Sequence, residues 1–114
     1  MALKIDVRDA GNVTVLDLNG HLVLGLESQT LSQRVKQLVA EGKTQILLNA
    51  KGVNFIDSCG VGELVASFTT LKKKDGHLKL ACLQKMVYEV LRLSRLPTII
   101  EVFDTEEQAL ASFG

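Results

Sequence analysis

The chain has 114 residues, in which 13 lysines and arginines balance 13 aspartates and glutamates. That length supports one domain with a genuine core and not two, and zero net charge supplies no summed field for nucleic acid or an anionic membrane, so any partner must be recognised locally. Two cysteines make no disulfide framework, no cationic start precedes an apolar signal stretch, and no apolar run approaches the roughly 20 residues that span a bilayer, so the expected setting is the cytoplasm, without membrane insertion.

Leu3, Ile5 and Val7 alternate with polar residues, Ala10-Gly11-Asn12 has turn chemistry, and extended character resumes at Val13 through Leu18, which predicts a hairpin. After Gly20 comes an irregular HLVLGLES stretch, and then Leu31, Val35, Leu38 and Val39 recur at helical spacing, which predicts a helix from about Ser28 to Glu41 with Gly42 as its stop. TQILLNA, residues 44–50, suits a strand buried on both faces. The second helix places Val61, Leu64, Val65, Phe68 and Leu71 on one stripe, with Lys72, Lys73 and Lys74 in its last turn and Gly76 ending it. HLKLACL (77–83) reads as a strand, Gln84 to Leu96 as a third helix stopped by Pro97, TIIEVF (98–103) as a last strand, and Thr105 to Phe113 as a terminal helix with a Thr105–Gln108 capping box. The order is ββαβαβαβα: an α/β fold whose mixed, mainly parallel sheet starts with an antiparallel hairpin and continues through crossover helices. In such sheets functional groups gather where strands end and helices begin.

One such junction is NFIDSCGVGEL, residues 54–64. Asp57 or Ser58 can cap the second helix by accepting from the free N–H groups of its first turn. Capping leaves Gly60 and Gly62 unexplained, since a glycine in a helix costs about 1 kcal/mol relative to alanine. Close backbone packing accounts for them, and so does a partner surface or phosphate approaching the helix start. Ser58 also has the placement of a phosphoacceptor, where a phosphate would add about −1.5 to −2 charges beside Asp57.

Catalytic readings fail on spacing. Ile56 stands where the nucleophile elbow G-x-S-x-G needs its first glycine, and neither His21 nor His77 is identifiable as a base. Gly20 and Gly25 have P-loop spacing, but Leu26-Glu27 replaces the lysine and hydroxyl. GVG has no third glycine of a dinucleotide fingerprint, Cys59 has no arginine six residues on, and two histidines and two cysteines at scattered positions suggest no metal site. No enzyme activity and no cofactor are expected.

The order of elements over almost the whole chain, together with VNFIDSCGVGEL after the third strand, resembles the STAS domain of bacterial anti-sigma factor antagonists, which implies a single domain over 1–114. Within that resemblance Ser58 matches the phosphorylated serine, Asp57 the acid before it, Cys59 the small residue and Gly60 the glycine after it. The resemblance implies a partner switch. The unphosphorylated domain binds an anti-sigma factor, itself an ATP-binding serine kinase with a histidine-kinase-like fold, and frees a sigma factor; phosphorylation of Ser58 releases the domain. The docking surface it implies comprises His21, Leu22, Val23, Asp57, Ser58, Gly60, Val61, Gly62 and Glu63.

Two positions depart from the family pattern: Val23 stands where an acid is frequent in the loop after the second strand, and His21 also replaces an acid. They keep open a STAS module serving another assembly, such as a signalling complex or a lipid-transport accessory, without regulatory phosphorylation. A two-component receiver, with Asp57 as acceptor, fits less well, because Asp6 stands alone where an acid pair should hold magnesium and TIIEVF contains no lysine.

Overall fold

The computed structural model of the chain describes residues 3–23 and 30–113. Two antiparallel strands open it, β1 (Lys4–Ala10) and β2 (Val13–Leu22). Gly11, at φ 67°, makes the two-residue turn between Ala10 and Val13, a left-handed conformation that glycine adopts without steric penalty. Then follow α1 (Thr30–Ala40), β3 (Gln45–Ile56), α2 (Ser58–Lys72), β4 (His77–Ala81), α3 (Lys85–Leu93), a 3-10 turn (Leu96–Thr98), β5 (Val102–Phe103) and α4 (Glu106–Ser112). The sheet runs β1-β2-β3-β4-β5, antiparallel in its first pair and parallel thereafter. The ββαβαβαβα order read from the sequence is the observed one.

Consecutive parallel neighbours joined by right-handed crossovers put α1, α2 and α3 on one face of the sheet. Strand alternation supplies that face with Leu16, Leu18 and Leu22 from β2, Ile46, Leu48 and Ala50 from β3, and Leu78 and Leu80 from β4. The helices bury Leu31, Val35 and Leu38, Leu64 and Leu71, and Val87 and Leu91 against it. At about 25 cal/mol per Å² of apolar surface removed from water, this layer supplies most of the folding drive. The opposite face is thinner: among the described residues Val13, Val15, Leu47 and Ala81 pack with Ala109 of α4 and with the flanking Ala10, Cys82, Phe103, Leu110 and Phe113. Arg8 pins α4 there, donating to Asp17 of β2 (Nε to Oδ2, 2.6 Å) and to both carboxylate oxygens of Glu106, which also accepts from Asn49.

Several boundaries differ from the sequence reading, each for a physical reason. The third strand continues to Ile56 rather than ending at 50 because β3 carries two extra residues. Asp17 pairs with Asn49 but Asn19 with Gly52, and Gly20 pairs with Val53 but His21 with Phe55. Such bulges hide alternation from a period-two search. The third helix stops at Leu93, not Leu96, because Arg95 turns left-handed (φ 60°) and Pro97 lies within the 3-10 turn. That turn shortens the last strand from the expected 98–103 to Val102–Phe103, and β4 ends at Ala81 where Cys82 takes φ 64°.

Val65, expected on the buried stripe of α2, is 37% exposed; the buried positions are Gly60, Leu64, Ser67 and Leu71. The left-handed residue after α2 is Asp75 (φ 56°) rather than Gly76, whose N–H closes onto the Leu71 carbonyl at 2.8 Å and whose missing Cβ leaves room for the Thr44 carbonyl. After α1, Gly42 does supply the left-handed turn (φ 85°), with Lys43 N–H on the Leu38 carbonyl and Gly42 N–H on that of Val39, a Schellman closure. The expected start of that helix at Ser28 lies outside the described residues. Thr105 caps α4, its hydroxyl accepting from Gln108 N–H at 3.1 Å.

Candidate functional site

The junction between β3 and α2 is built by backbone bonds before any functional side chain is placed. Asp57 is extended (φ −119°, ψ −173°), and its N–H donates to the Leu22 carbonyl at 3.3 Å, tying the helix start to the end of β2. Its Oδ1 accepts from the N–H groups of Cys59 and Gly60, both at 3.0 Å, and its own carbonyl accepts from Val61 N–H at 3.0 Å. Of the two residues able to cap this helix, Asp57 does so, and Ser58 becomes the first helical residue. That division leaves Ser58 exposed, with Cys59 beside it and Gly62 one turn on.

The two glycines separate cleanly. Gly60 is buried over the end of β2, where a Cβ would stand 2.1 Å from the Leu22 carbonyl oxygen and 2.7 Å from Ile56 Cγ1. A backbone oxygen cannot retreat, so Gly60 is required by close packing. A Cβ at Gly62 would meet nothing within 4 Å, and its φ lies in no left-handed range. Among the described residues nothing offsets its helix-propensity cost of about 1 kcal/mol.

Around this start the remaining residues fall into distinct environments. The Leu22 side chain is only 2% exposed, so what β2 contributes here is its carbonyl. His21 is half-buried and meets Phe55 edge-on, ring centroids 5.9 Å apart and planes at 64°. Val23 is half-buried and precedes the undescribed stretch 24–29. Val61 is half-buried and packs against the core. Glu63 reaches across to α1, its carboxylate accepting from Ser32 N–H at 3.1 Å and standing 3.4 Å from the Ser32 hydroxyl. Ser32 lies in the first turn of α1, where N–H groups lack helical partners and an anion suits the helix dipole. Glu63 thus fixes α1 against α2.

Seen together, the exposed positions of α2 near its start are Ser58, Cys59, Gly62, Val65 and Ala66, all small and uncharged. Phe55, 47% exposed on the neighbouring strand end, adds an aromatic edge. Sequence reasoning missed Phe55 because it stopped the strand at 50; the Phe55–His21 partnership depends on the second bulge. It missed Ser32 because only the packing of α1 on α2 brings it to Glu63. The arrangement offers an accessible hydroxyl on a rigid helix start, a bare surface around it, and no base within the described hydrogen bonds that would activate the serine as a nucleophile.

Comparison with known proteins agrees with this fold. Residues 4–109 match the model of the STAS domain. The chain is 24% identical over 110 residues, 96% of its length and 94% of the relative's, to an anti-sigma F factor antagonist of Paenibacillus polymyxa. In structure it superimposes on an anti-sigma factor antagonist from Mycobacterium paratuberculosis (TM-score 0.83, 20% identity, covering 97% of this chain and 93% of that one). It also superimposes on the Bacillus cell fate determinant SpoIIAA in its phosphorylated form (TM-score 0.73, 21% identity, covering 97% and 100%). With the ββαβαβαβα order, the mixed five-stranded sheet and a family match that spans nearly the whole sequence, the chain belongs to the STAS domain family.

Proposed function

We propose that this protein is an anti-sigma factor antagonist that works as a phosphorylation-controlled partner switch, with Ser58 as the phosphoacceptor. The observation that carries the reading is the exposed Ser58 at the first position of α2, directly after an aspartate that already occupies the helix-start amides. Similarity to an anti-sigma F factor antagonist and to a phosphorylated STAS structure supports it.

The charge change follows from the local bonding. A phosphate on Ser58 gains the favourable end of the α2 dipole, but the Cys59 and Gly60 amides are taken by Asp57. The dianion therefore faces solvent next to a carboxylate and alters the surface rather than the fold. On a docking surface of small uncharged residues, such a charge opposes any partner whose contact is apolar or acidic. Gly62 then has a use: it leaves space for a kinase to bring a nucleotide phosphate to the Ser58 hydroxyl. In this reading an anti-sigma factor with a histidine-kinase-like ATP-binding fold binds the unmodified site across Ser58, Gly62 and the His21–Phe55 pair, and phosphorylation releases it.

The test is to incubate the chain with such a kinase and MgATP and follow intact mass. One added phosphate on the wild type and none on Ser58→Ala is expected, with Ser58→Ala retaining binding. Binding by both proteins with no phosphate transferred would instead favour a constitutive STAS interaction module, the reading to which Val23 and His21 point.

A further inference from the structure

The far end of α2, about 21 Å from Ser58 at 1.5 Å of rise per residue, carries chemistry that the switch does not use. Lys72, Lys73 and Lys74 follow one another there. The C-terminus of α3 arrives at the same end, because both helices are crossovers between parallel strands. It brings Leu93, 75% exposed, then Arg95, and after the 3-10 turn Ile99, 50% exposed. Lys72 and Ile99 line one groove of about 550 Å³ together with Phe68, and Lys72 Nζ lies 5.6 Å from the Phe68 ring centroid.

A helix C-terminus favours a cation or two near its last carbonyls. It does not explain the rest. Among the described residues Lys73, Lys74 and Arg95 form no ion pair, whereas Arg92 pairs with Glu89 and Lys79 with Glu101. Nor does it explain two large aliphatic side chains standing in water beside uncommitted cations.

We propose that this end docks an acidic amphipathic segment of a protein partner, with its apolar side chains entering the groove between Phe68 and Ile99 and its carboxylates pairing with Lys72, Lys73, Lys74 and Arg95. Charge complementarity names the partner's sign, and the groove names its form. A flat anionic membrane fits worse, because Asp75 and Glu101 stand on the groove walls and would be pressed against it, while a peptide can place its carboxylates beside the lysines and avoid both. The surface lies at the opposite end of α2 from Ser58, so it can be occupied whatever the state of that residue.

Displayed random peptides would be selected on the full chain and counter-selected on the Lys72→Glu, Lys73→Glu, Lys74→Glu variant, with circular dichroism confirming that the variant folds. The expected result is enrichment of peptides rich in acidic and aliphatic residues. Their amide-shift footprint should cover residues 72–76 and 93–99 and spare 58–62. Affinity should fall about tenfold or more in the triple variant, fall in Leu93→Ser, and stay unchanged in Ser58→Asp. No enrichment, enrichment without acidic bias, or a footprint elsewhere would overturn the proposal. So would charge-dependent sedimentation of the chain with phosphatidylglycerol vesicles in the absence of peptide binding, which would assign the surface to a membrane.

Discussion

The two ends of α2 solve the same problem with different materials. Both must satisfy backbone groups that a helix leaves without partners. At the start one carboxylate oxygen, Asp57 Oδ1, takes two amides, and a buried glycine lets the turn settle onto the Leu22 carbonyl. At the finish the chain itself closes the turn, Asp75 N–H on the Lys72 carbonyl and Gly76 N–H on that of Leu71. What each end keeps beyond that need is opposite in character. The start exposes small neutral residues around one hydroxyl, and the finish exposes cations and aliphatic carbon. Surface chemistry in excess of what the fold requires is the clearest pointer to partners that this molecule offers.

Substitutions can break that comparison in order of expected size. Gly60→Ala drives a Cβ into a backbone carbonyl and should destabilise the fold by about 3 kcal/mol, read as a lower urea midpoint. An unchanged midpoint would mean that the start of α2 is not clamped to β2. Asp57→Ala removes the cap from two amides and should cost about 1–2 kcal/mol, with protection of the Cys59 and Gly60 amides from hydrogen exchange lost first.

Gly62→Ala should do the reverse of its neighbour, stabilising by up to about 1 kcal/mol through helix propensity while slowing phosphorylation of Ser58. Stabilisation without any effect on the partner would remove the functional account of this glycine. The smallest effect lies away from α2. The hydrogen bonds from Arg8, and then from Asn49, hold the Glu106 carboxyl below its ordinary value. A depressed acid contributes stability that is complete above its unfolded pKa of about 4.3 and is lost as pH falls through the folded value. With Arg8 44% exposed, the contribution should stay under about 1 kcal/mol. Comparing wild type with Glu106→Gln in urea at pH 7 and pH 3 should show a difference that shrinks in acid.

The sequence revealed element order well because each helix carries its own stripe and each crossover forces a parallel neighbour. It also placed Asp57 and Ser58 at a helix start, leaving open which one caps. What stayed hidden arises between elements. The bulges that carry β3 to Ile56 are a relation between two strands, and Glu63 holding Ser32 is a relation between two helices. Gly60 and Gly62 look alike in a string of letters; only the position of the Leu22 carbonyl tells them apart.

The central claim concerns charge at Ser58, and the most direct measurement is the affinity of wild type and Ser58→Asp for a histidine-kinase-like anti-sigma factor under identical salt. The account predicts that the aspartate variant, folded to the same stability, binds at least about tenfold more weakly. Equal affinity would contradict it.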